Sequence, residues 1–113
     1  MQPVRRGDVW WVSFDPSLGG EVRKTRPAVI LSNNAANSVL DRVVVVPLTS
    51  QTAINKVYPS EALVTVGERR AKAMADQIMT ASKRRLGNRV DSLSADDLRA
   101  VEAAVLLHLG IRR

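Results

Sequence analysis

Residues 7–16 read Gly7-Asp8-Val9-Trp10-Trp11-Val12-Ser13-Phe14-Asp15-Pro16, and they open the stretch that decides the fold. A loop follows, and then two apolar runs: Gly19-Gly20-Glu21-Val22-Arg23-Lys24-Thr25, Arg26-Pro27-Ala28-Val29-Ile30-Leu31 and Val43-Val44-Val45-Val46-Pro47-Leu48-Thr49-Ser50-Gln51. This order places an arginine and a threonine at the ends of two buried strands, beside a loop with a glutamate and two cations. Such a grouping suits a phosphodiester and offers no pattern of metal ligands.

The length and composition limit the possible classes of protein. With 113 residues, the chain is predicted to form a single domain over 1–113 with a modest core. It has no cysteine, which excludes disulfides, thiolate nucleophiles and cysteine-based zinc sites. No apolar run approaches the roughly 20 residues of a membrane helix, and no signal segment is visible, so we expect a cytoplasmic protein. A net charge of +6 fits a nucleic-acid partner, although many basic proteins have none.

Most of the chain is predicted to form short strands. Asp8 to Phe14 is rich in Val and Trp, which favours a strand. Pro27 is predicted to start a strand over Ala28 to Asn33, because its missing N–H does least harm there. Arg42 to Thr49 is apolar enough to be covered on both faces. Further strands are predicted over 62–66 and, from weak alternation, over 72–82. Turns or loops are predicted at 15–20, 33–37, 51–60 and 67–70.

The C-terminal segment carries a clear helical pattern. Ser94 is a good N-cap, and Asp97 three residues later approximates a capping box. An apolar stripe recurs at helical spacing, and Gly110 follows it as a C-cap; the stripe is Leu98, Val101, Val105 and Leu109. Short strands followed by one amphipathic helix predict an α+β, mainly β fold, a small curled sheet or barrel with the helix against it.

Three residues of the opening stretch are candidates for phosphate chemistry. The guanidinium of Arg26 can hold a phosphate through two parallel hydrogen bonds, although a surface ion pair is the more common role of a single arginine. Thr49 ends an apolar strand, where its hydroxyl either finds a partner or faces a cavity. Glu21 is either a general base or a solvated loop residue.

Other polar residues admit a binding role and a structural one. Asp76 and Gln77 interrupt an apolar context, so they either face a groove or satisfy buried groups. Three cationic clusters are individually nonspecific: Arg23-Lys24, Arg69-Arg70-Lys72 and Lys83-Arg84-Arg85. Trp10 and Trp11 point to opposite faces of a strand, so one is expected in the core, while the other is free to stack a base or contact a subunit.

The residues that are missing also restrict the chemistry. His108 is the one histidine, so a two-histidine acid–base pair cannot form within a chain, and a position on the helix face explains it better. The acidic residues show no spacing typical of a divalent-metal cage, and Asp96 with Asp97 fits a helix start. A metal-dependent nuclease is therefore not favoured, and no cofactor is expected.

Taken in order, these motifs resemble the MazF/PemK family of toxin endoribonucleases across nearly the whole chain. No single motif is diagnostic, but the ordered set is highly specific. The matching pieces are Arg6-Gly7-Asp8-Val9-Trp10, Phe14-Asp15-Pro16, Gly20-Glu21, Arg26-Pro27-Ala28-Val29, Val46-Pro47-Leu48-Thr49-Ser50-Gln51, Ala75-Asp76-Gln77 and the closing helix.

The resemblance implies an SH3-like β-barrel with a C-terminal helix, assembled as a homodimer that cleaves single-stranded RNA at short sequences without a metal. It gives Arg26 and Thr49 the main catalytic roles, with Glu21 beside them, and it makes Asp76 and Gln77 RNA contacts. We expect the family to vary at Arg23-Lys24-Thr25 and at Gln51 to Ser60, and these two segments to shape the base pockets. Further RNA contacts are expected at Arg23, Lys24, Thr25, Ser50, Gln51 and Lys56. It also implies a cognate antitoxin whose acidic, disordered tail covers the RNA site.

The simplest metal-free reaction uses the 2′-hydroxyl of the substrate as nucleophile and gives a 2′,3′-cyclic phosphate and a 5′-hydroxyl. Two other functions stay open. A CcdB-type toxin shares the fold and inhibits gyrase, but it depends on a Trp-Gly-Ile terminus, whereas this chain has Leu109-Gly110-Ile111. A basic barrel that binds nucleic acid without catalysis is the other alternative.

Overall fold

The computed structural model describes residues 2–50 and 57–112, which form seven strands and two α-helices. Gln51 and Lys56, predicted to contact RNA, lie outside the described residues. The strands are β1 (Asp8–Ser13), β2 (Thr25–Ile30), β3 (Arg42–Thr49), β4 (Glu61–Val66), β5 (Arg69–Met74), β6 (Met79–Ser82) and β7 (Leu86–Ser92). The helices are α1 (Asn34–Val39) and α2 (Ala95–His108), and short 3₁₀ turns span Ala75–Gln77 and Lys83–Arg85.

The strands form one antiparallel sheet in the order β4-β5-β3-β2-β1-β7. β3 is central because its two halves pair with different strands on one edge. Its first half pairs with β6, from Arg42 opposite Ser82 to Val45 opposite Met79, and its end pairs with β5, where Thr49 lies opposite Lys72. The 3₁₀ turn between β5 and β6 thus lies where the sheet bends at β3. This bend curls the sheet around its apolar core.

The curled sheet encloses two apolar clusters. The larger lies under α2 and takes Val9, Val29 and Val46 from three neighbouring strands, all fully buried, together with Val101 of the helix. The smaller lies on the other face of the same strands, around Trp10, Val12, Ile30 and Val45. Alternation along β1 to β3 explains this division, since neighbouring residues point to opposite faces. The predicted mainly β class, with a curled sheet and a C-terminal helix, is confirmed.

The ends of α2 follow the sequence signals closely. The Asp97 N–H donates to the Ser94 hydroxyl at 3.1 Å, which confirms the N-cap. The capping box is wrong, because the Asp97 carboxylate instead accepts the Thr65 N–H of β4 at 2.9 Å. At the other end, Gly110 has φ +72, and the Ile111 N–H donates to the Leu106 carbonyl at 2.9 Å, as in a Schellman motif.

The helix buries a narrower stripe than the one predicted. Val101, Ala104 and Val105 are buried, while Leu109 follows the last helical residue and is 53% exposed. The membership of Leu109 in the stripe is therefore wrong. At the start of β1, Gly7 has φ +90, and an added Cβ would lie 3.3 Å from Leu98 Cδ2, so the chain passes very close to α2 there. None of the described helices is long and apolar enough to cross a membrane.

Several of the predicted element boundaries are wrong. β2 begins at Thr25 rather than at Ala28, because β1 pairs with it along 25–29 and holds Pro27 opposite Trp11. Residues 34–39 form α1, whose N-cap Asn33 accepts the Ala36 N–H. The segment 72–82 is two strands separated by a turn, and β5 already begins at Arg69, inside the predicted basic turn. β7 was not predicted at all.

The candidate active site

Arg26 and Thr49 lie side by side across two neighbouring strands. β2 pairs with β3 through Ala28 opposite Pro47 and Ile30 opposite Val45. The same register, continued by two residues, sets Arg26 opposite Thr49, and residues opposite each other in an antiparallel pair point to the same face. Both side chains line the same two cavities.

The two cavities differ in their walls. The loop-side cavity, of about 500 Å³, lies under the loop between β1 and β2 and is lined by Gly20, Glu21, Arg23 and Gln77. The strand-side cavity, of about 430 Å³, lies on the sheet face where β3 and β4 end, and it is lined by Trp11, Leu48, Ser50, Arg69 and Arg70. Lys24, Arg26 and Thr49 belong to both cavities. The pair therefore sits where a chain running through both cavities would pass.

The two central side chains are available for a ligand. The Arg26 Nε donates to the Arg23 carbonyl at 3.1 Å, which fixes the guanidinium and leaves its two terminal nitrogens without a carboxylate partner among residues 2–50 and 57–112. Thr49 is only 5% exposed, and its hydroxyl makes no hydrogen bond to a described residue. A fixed cation beside an unengaged hydroxyl is suited to a phosphate.

The loop that carries Glu21 is tied at its base. The Phe14 N–H donates to the Lys24 carbonyl at 2.8 Å, and the Lys24 N–H donates to Asp15 Oδ1 at 3.0 Å, while Lys24 itself has φ +64. The Arg85 guanidinium donates to the carbonyls of Ser13 and Asp15 at 3.0 and 2.7 Å. These contacts fix where the loop leaves the sheet.

Gln77 holds the same loop at its tip. Its Nε2 donates to the Gly20 carbonyl at 3.2 Å, and its Oε1 accepts the Val22 N–H at 3.3 Å. Within the loop, Glu21 Oε1 accepts the Leu18 N–H at 2.5 Å, which leaves Oε2 without a partner among the described residues. Glu21 and Gln77 therefore both line the loop-side cavity.

The other predicted contacts fall in different places. Arg23 lines the loop-side cavity, while Thr25 and Ser50 line the strand-side cavity. Asp76 is exposed and lines a neighbouring cavity of about 320 Å³ together with Glu21 and Gln77, away from Arg26. The described residues contain no group of three or more His, Cys, Asp or Glu that could hold a metal.

Sequence reasoning undervalued the start of β5. Arg69 and Arg70 were assigned to a nonspecific basic turn, yet they stand on a strand and line the strand-side cavity. Lys72 of the same cluster is buried, and its ammonium group lies 3.3 Å from Glu61 Oε1. The alternation of cationic residues with Ala71 and Ala73 was a signal for a two-faced strand.

Comparison with known proteins identifies the family. A family model described as a PemK-like, MazF-like toxin of type II toxin-antitoxin systems matches residues 5–109. The chain belongs to this family. It is 38% identical to "Endoribonuclease MazF9" of Mycobacterium tuberculosis over 117 residues, covering 96% of this chain and 98% of the relative. It is 33% identical over 105 residues to "Endoribonuclease toxin MazF" of Escherichia coli K12, covering 92% of each chain.

Solved structures of the toxin family share the fold. MazF from Deinococcus radiodurans aligns with a TM-score of 0.86 and 28% identity, covering 98% of this chain and 100% of that one. A MazE–MazF structure from the same organism aligns at 0.77 and 25% identity, covering 99% and 100%. The resemblance inferred from the sequence motifs is therefore confirmed at the level of family and fold.

Proposed function

We propose that this member of the toxin family is an endoribonuclease that cleaves single-stranded RNA at short sequences, without a metal ion. The observation that carries the proposal is the placement of Arg26 beside the buried Thr49, at the junction of two cavities and with no carboxylate bound to the guanidinium among the described residues. The names of the relatives support RNA as the substrate. A cytoplasmic location follows from that substrate.

The reaction begins with the ribose 2′-hydroxyl at the cleaved linkage. A base removes its proton, the 2′-oxygen bonds to phosphorus, and the bond from phosphorus to the 5′-oxygen breaks. The 5′-oxygen takes up a proton, so the products are a 2′,3′-cyclic phosphate and a 5′-hydroxyl. All the atoms come from the RNA, and the protein has only to move protons and stabilise charge.

The side chains suit these tasks in different ways. The terminal nitrogens of Arg26 donate to the nonbridging oxygens as charge builds up, and the Thr49 hydroxyl donates a second hydrogen bond. A guanidinium stays protonated in proteins, so Arg26 acts as a clamp and not as the base. Glu21 or a water molecule takes the 2′ proton, and the available carboxylate atom is Glu21 Oε2, because Oε1 accepts the Leu18 N–H.

Membership in the toxin family also suggests two protein partners, an antitoxin and a second copy of this chain. A solved relative is a MazE–MazF structure, and this chain carries a net charge of +6. We therefore expect a cognate antitoxin with an acidic, disordered tail that lies over the cationic cavities. A homodimer is expected as well. An apolar groove between β4 and α2, lined by Val57, Ala100 and Leu107, offers a surface for a second copy. Light scattering on the purified protein measures the assembly directly.

The decisive experiment incubates the purified chain with a long RNA and maps the fragment ends. Removing one preorganised donor of this kind costs about 10²–10³ in kcat. We therefore expect Arg26→Ala and Thr49→Val to lose at least that factor. Arg84→Ala, which removes an exposed arginine outside both cavities, should keep wild-type activity. Full cleavage by a folded Arg26→Ala protein would contradict the assignment.

Two further arms test the chemistry itself. Activity should survive excess chelator, and activity that vanishes in chelator and returns with magnesium would overturn the metal-free reaction. A substrate with a 2′-deoxy sugar at the cut site should be inert, because it lacks the nucleophile. Binding without any cleavage would instead identify a non-catalytic nucleic-acid-binding protein.

A further inference from the structure

The strand-side cavity has an apolar floor that continues the core out to solvent. Val9 and Trp11 lie on the same face of β1, since they are two residues apart. Val9 is fully buried, whereas Trp11 is 43% exposed and pairs with Pro27 across β1 and β2. Leu48 and Val90 complete the floor beside the indole. This part of the sheet face is therefore open among the described residues.

Neighbouring backbone holds Trp11 in place. A Cβ added at Gly87 of β7 would lie 3.4 Å from Trp11 Cβ, so β7 passes directly against the base of the side chain. The β1–β7 register also shifts between Trp10 and Val12, where β7 has one residue more than β1, so the irregularity lies in β7 opposite Trp11. Bulges are frequent beside active sites. Trp11 is thus presented by a fixed framework, although it is exposed.

The rim of the cavity carries only positive charge. Lys24, Arg69 and Arg70 surround the floor together with Arg26. None of these four forms an ion pair with a carboxylate in the parts of the chain that the structure describes. The described lining contains no Asp, Glu, Asn or Gln side chain. An aromatic floor with an unpaired cationic rim matches a nucleotide, whose base is flat and whose phosphates are anionic.

The geometry points to a nucleotide subsite in the strand-side cavity. The base next to the cleaved linkage stacks on the Trp11 indole, and the flanking phosphates bind Arg69 and Arg70. The subsite rests on the function proposed above, since it takes the same RNA. It is expected to accept any base, because stacking uses the face of the ring, which every base has. Recognition of the RNA sequence then takes place in the loop-side cavity, which Glu21 and Gln77 line.

Binding is measured by fluorescence anisotropy, with labelled single-stranded DNA of two unrelated sequences as the probe. Trp11→Ala should raise the dissociation constant about fivefold or more on both sequences, and Trp11→Phe should recover most of that loss. The double variant Arg69→Ala/Arg70→Ala should reduce the slope of log affinity against log salt by about 1.4, about 0.7 for each phosphate released. Arg84→Ala is the matched control and should change neither quantity.

Several results would overturn the subsite. Unchanged DNA affinity in Trp11→Ala excludes stacking, and a loss confined to one sequence shows edge recognition instead. If Trp11→Ala yields monomers in light scattering, the floor is a subunit contact. If Trp11→Ala loses binding of a poly-glutamate peptide but keeps its affinity for DNA, the cavity binds a protein partner.

Wild-type cleavage of RNA, measured in parallel, separates the two proposals. An active wild type whose variants bind DNA normally refutes the subsite alone. A wild type that binds DNA through Trp11 but cuts no RNA refutes the catalytic function and leaves the subsite standing.

Discussion

Gln77 is expected to act as a latch for the loop that carries Glu21. Its side-chain amide makes two hydrogen bonds to the loop backbone, to the Gly20 carbonyl and from the Val22 N–H, at 3.2 and 3.3 Å. A neutral hydrogen bond contributes about 0.5–1.5 kcal/mol net, and long bonds fall in the lower half of that range. The two together stabilise the held loop by about 1–2 kcal/mol, which is about 5- to 30-fold in its equilibrium with a released loop.

Hydrogen exchange at the Val22 amide reports this equilibrium directly. Gln77→Met keeps the shape of the side chain but removes both bonds, so the Val22 amide should exchange about 5- to 30-fold faster. Gln77→Glu keeps an acceptor for the Val22 N–H and loses only the donor to Gly20, so its effect should be smaller. Gln2→Met, a change at an exposed glutamine outside both cavities, is the control.

The rate of RNA cleavage should change with the fraction of molecules whose loop is held by Gln77. If the held loop is the active form, kcat/KM of Gln77→Met falls by up to the same factor, and by equal amounts on RNAs of different sequence. Unchanged Val22 exchange in Gln77→Met would refute the latch. A loss of cleavage on one RNA sequence only would show that Gln77 reads a base directly and does not act through the loop.

Three predictions concern stability. Val101→Ala removes two methyl groups from a fully buried site, so it should cost about 2 kcal/mol and lower the melting temperature by about 10 °C in calorimetry. Gly7→Ala combines φ +90 with a Cβ 3.3 Å from Leu98 Cδ2, so urea unfolding should show a loss of about 1–2 kcal/mol. Hydrogen bonds from the Gly67 and Ser92 N–H groups lower the pKa of Asp91 below 3.8. Its carboxylate therefore stabilises the fold above that pH, and the deficit of Asp91→Ala should shrink as the pH falls below 3.8, in thermal melts against pH.

The elements predicted best are those whose own residues determine them. β3 runs over Arg42–Thr49 as predicted, because its unbroken apolar run has to be covered on both faces. α2 carries a hydroxyl N-cap and a glycine in the left-handed region, which set both ends locally. Signals of this kind depend on neighbouring residues and hardly on the rest of the fold.

The elements that were missed depend on distant partners. β7 is mostly exposed, and Leu86 is its one buried residue, so its sequence shows no alternation of apolar and polar residues. It forms a strand because it pairs with the free edge of β1. α1 is six residues, Asn-Ala-Ala-Asn-Ser-Val, which form no apolar stripe and surround the buried Asn37. The break between β5 and β6 exists because both strands pair with the same edge of β3.

In the candidate site, too, residue types were visible in the sequence, whereas their relative positions depend on distant strand pairing. Arg26 and Thr49 were singled out by residue type and by resemblance, whereas their placement opposite each other depends on a register that no local pattern encodes. The charges of Arg69 and Arg70 were visible in the sequence, but their position beside Trp11 required the β4–β5 turn and the ends of three other strands.

The loop between β1 and β2 is held by residues that a ribosome makes much later. Its tip is bound by Gln77, 55 and 57 positions away in sequence, and its base by Arg85, 70 and 72 positions away. At about 5–20 residues per second, roughly 4 to 14 seconds of translation separate the loop from Arg85. Once Thr49 has been made, the nascent chain has both Arg26 and Thr49, but it still lacks the contacts from Gln77 and Arg85 that hold the loop of Glu21. If the assembled site cuts RNA, this delay keeps a growing chain from attacking the message that is still encoding it.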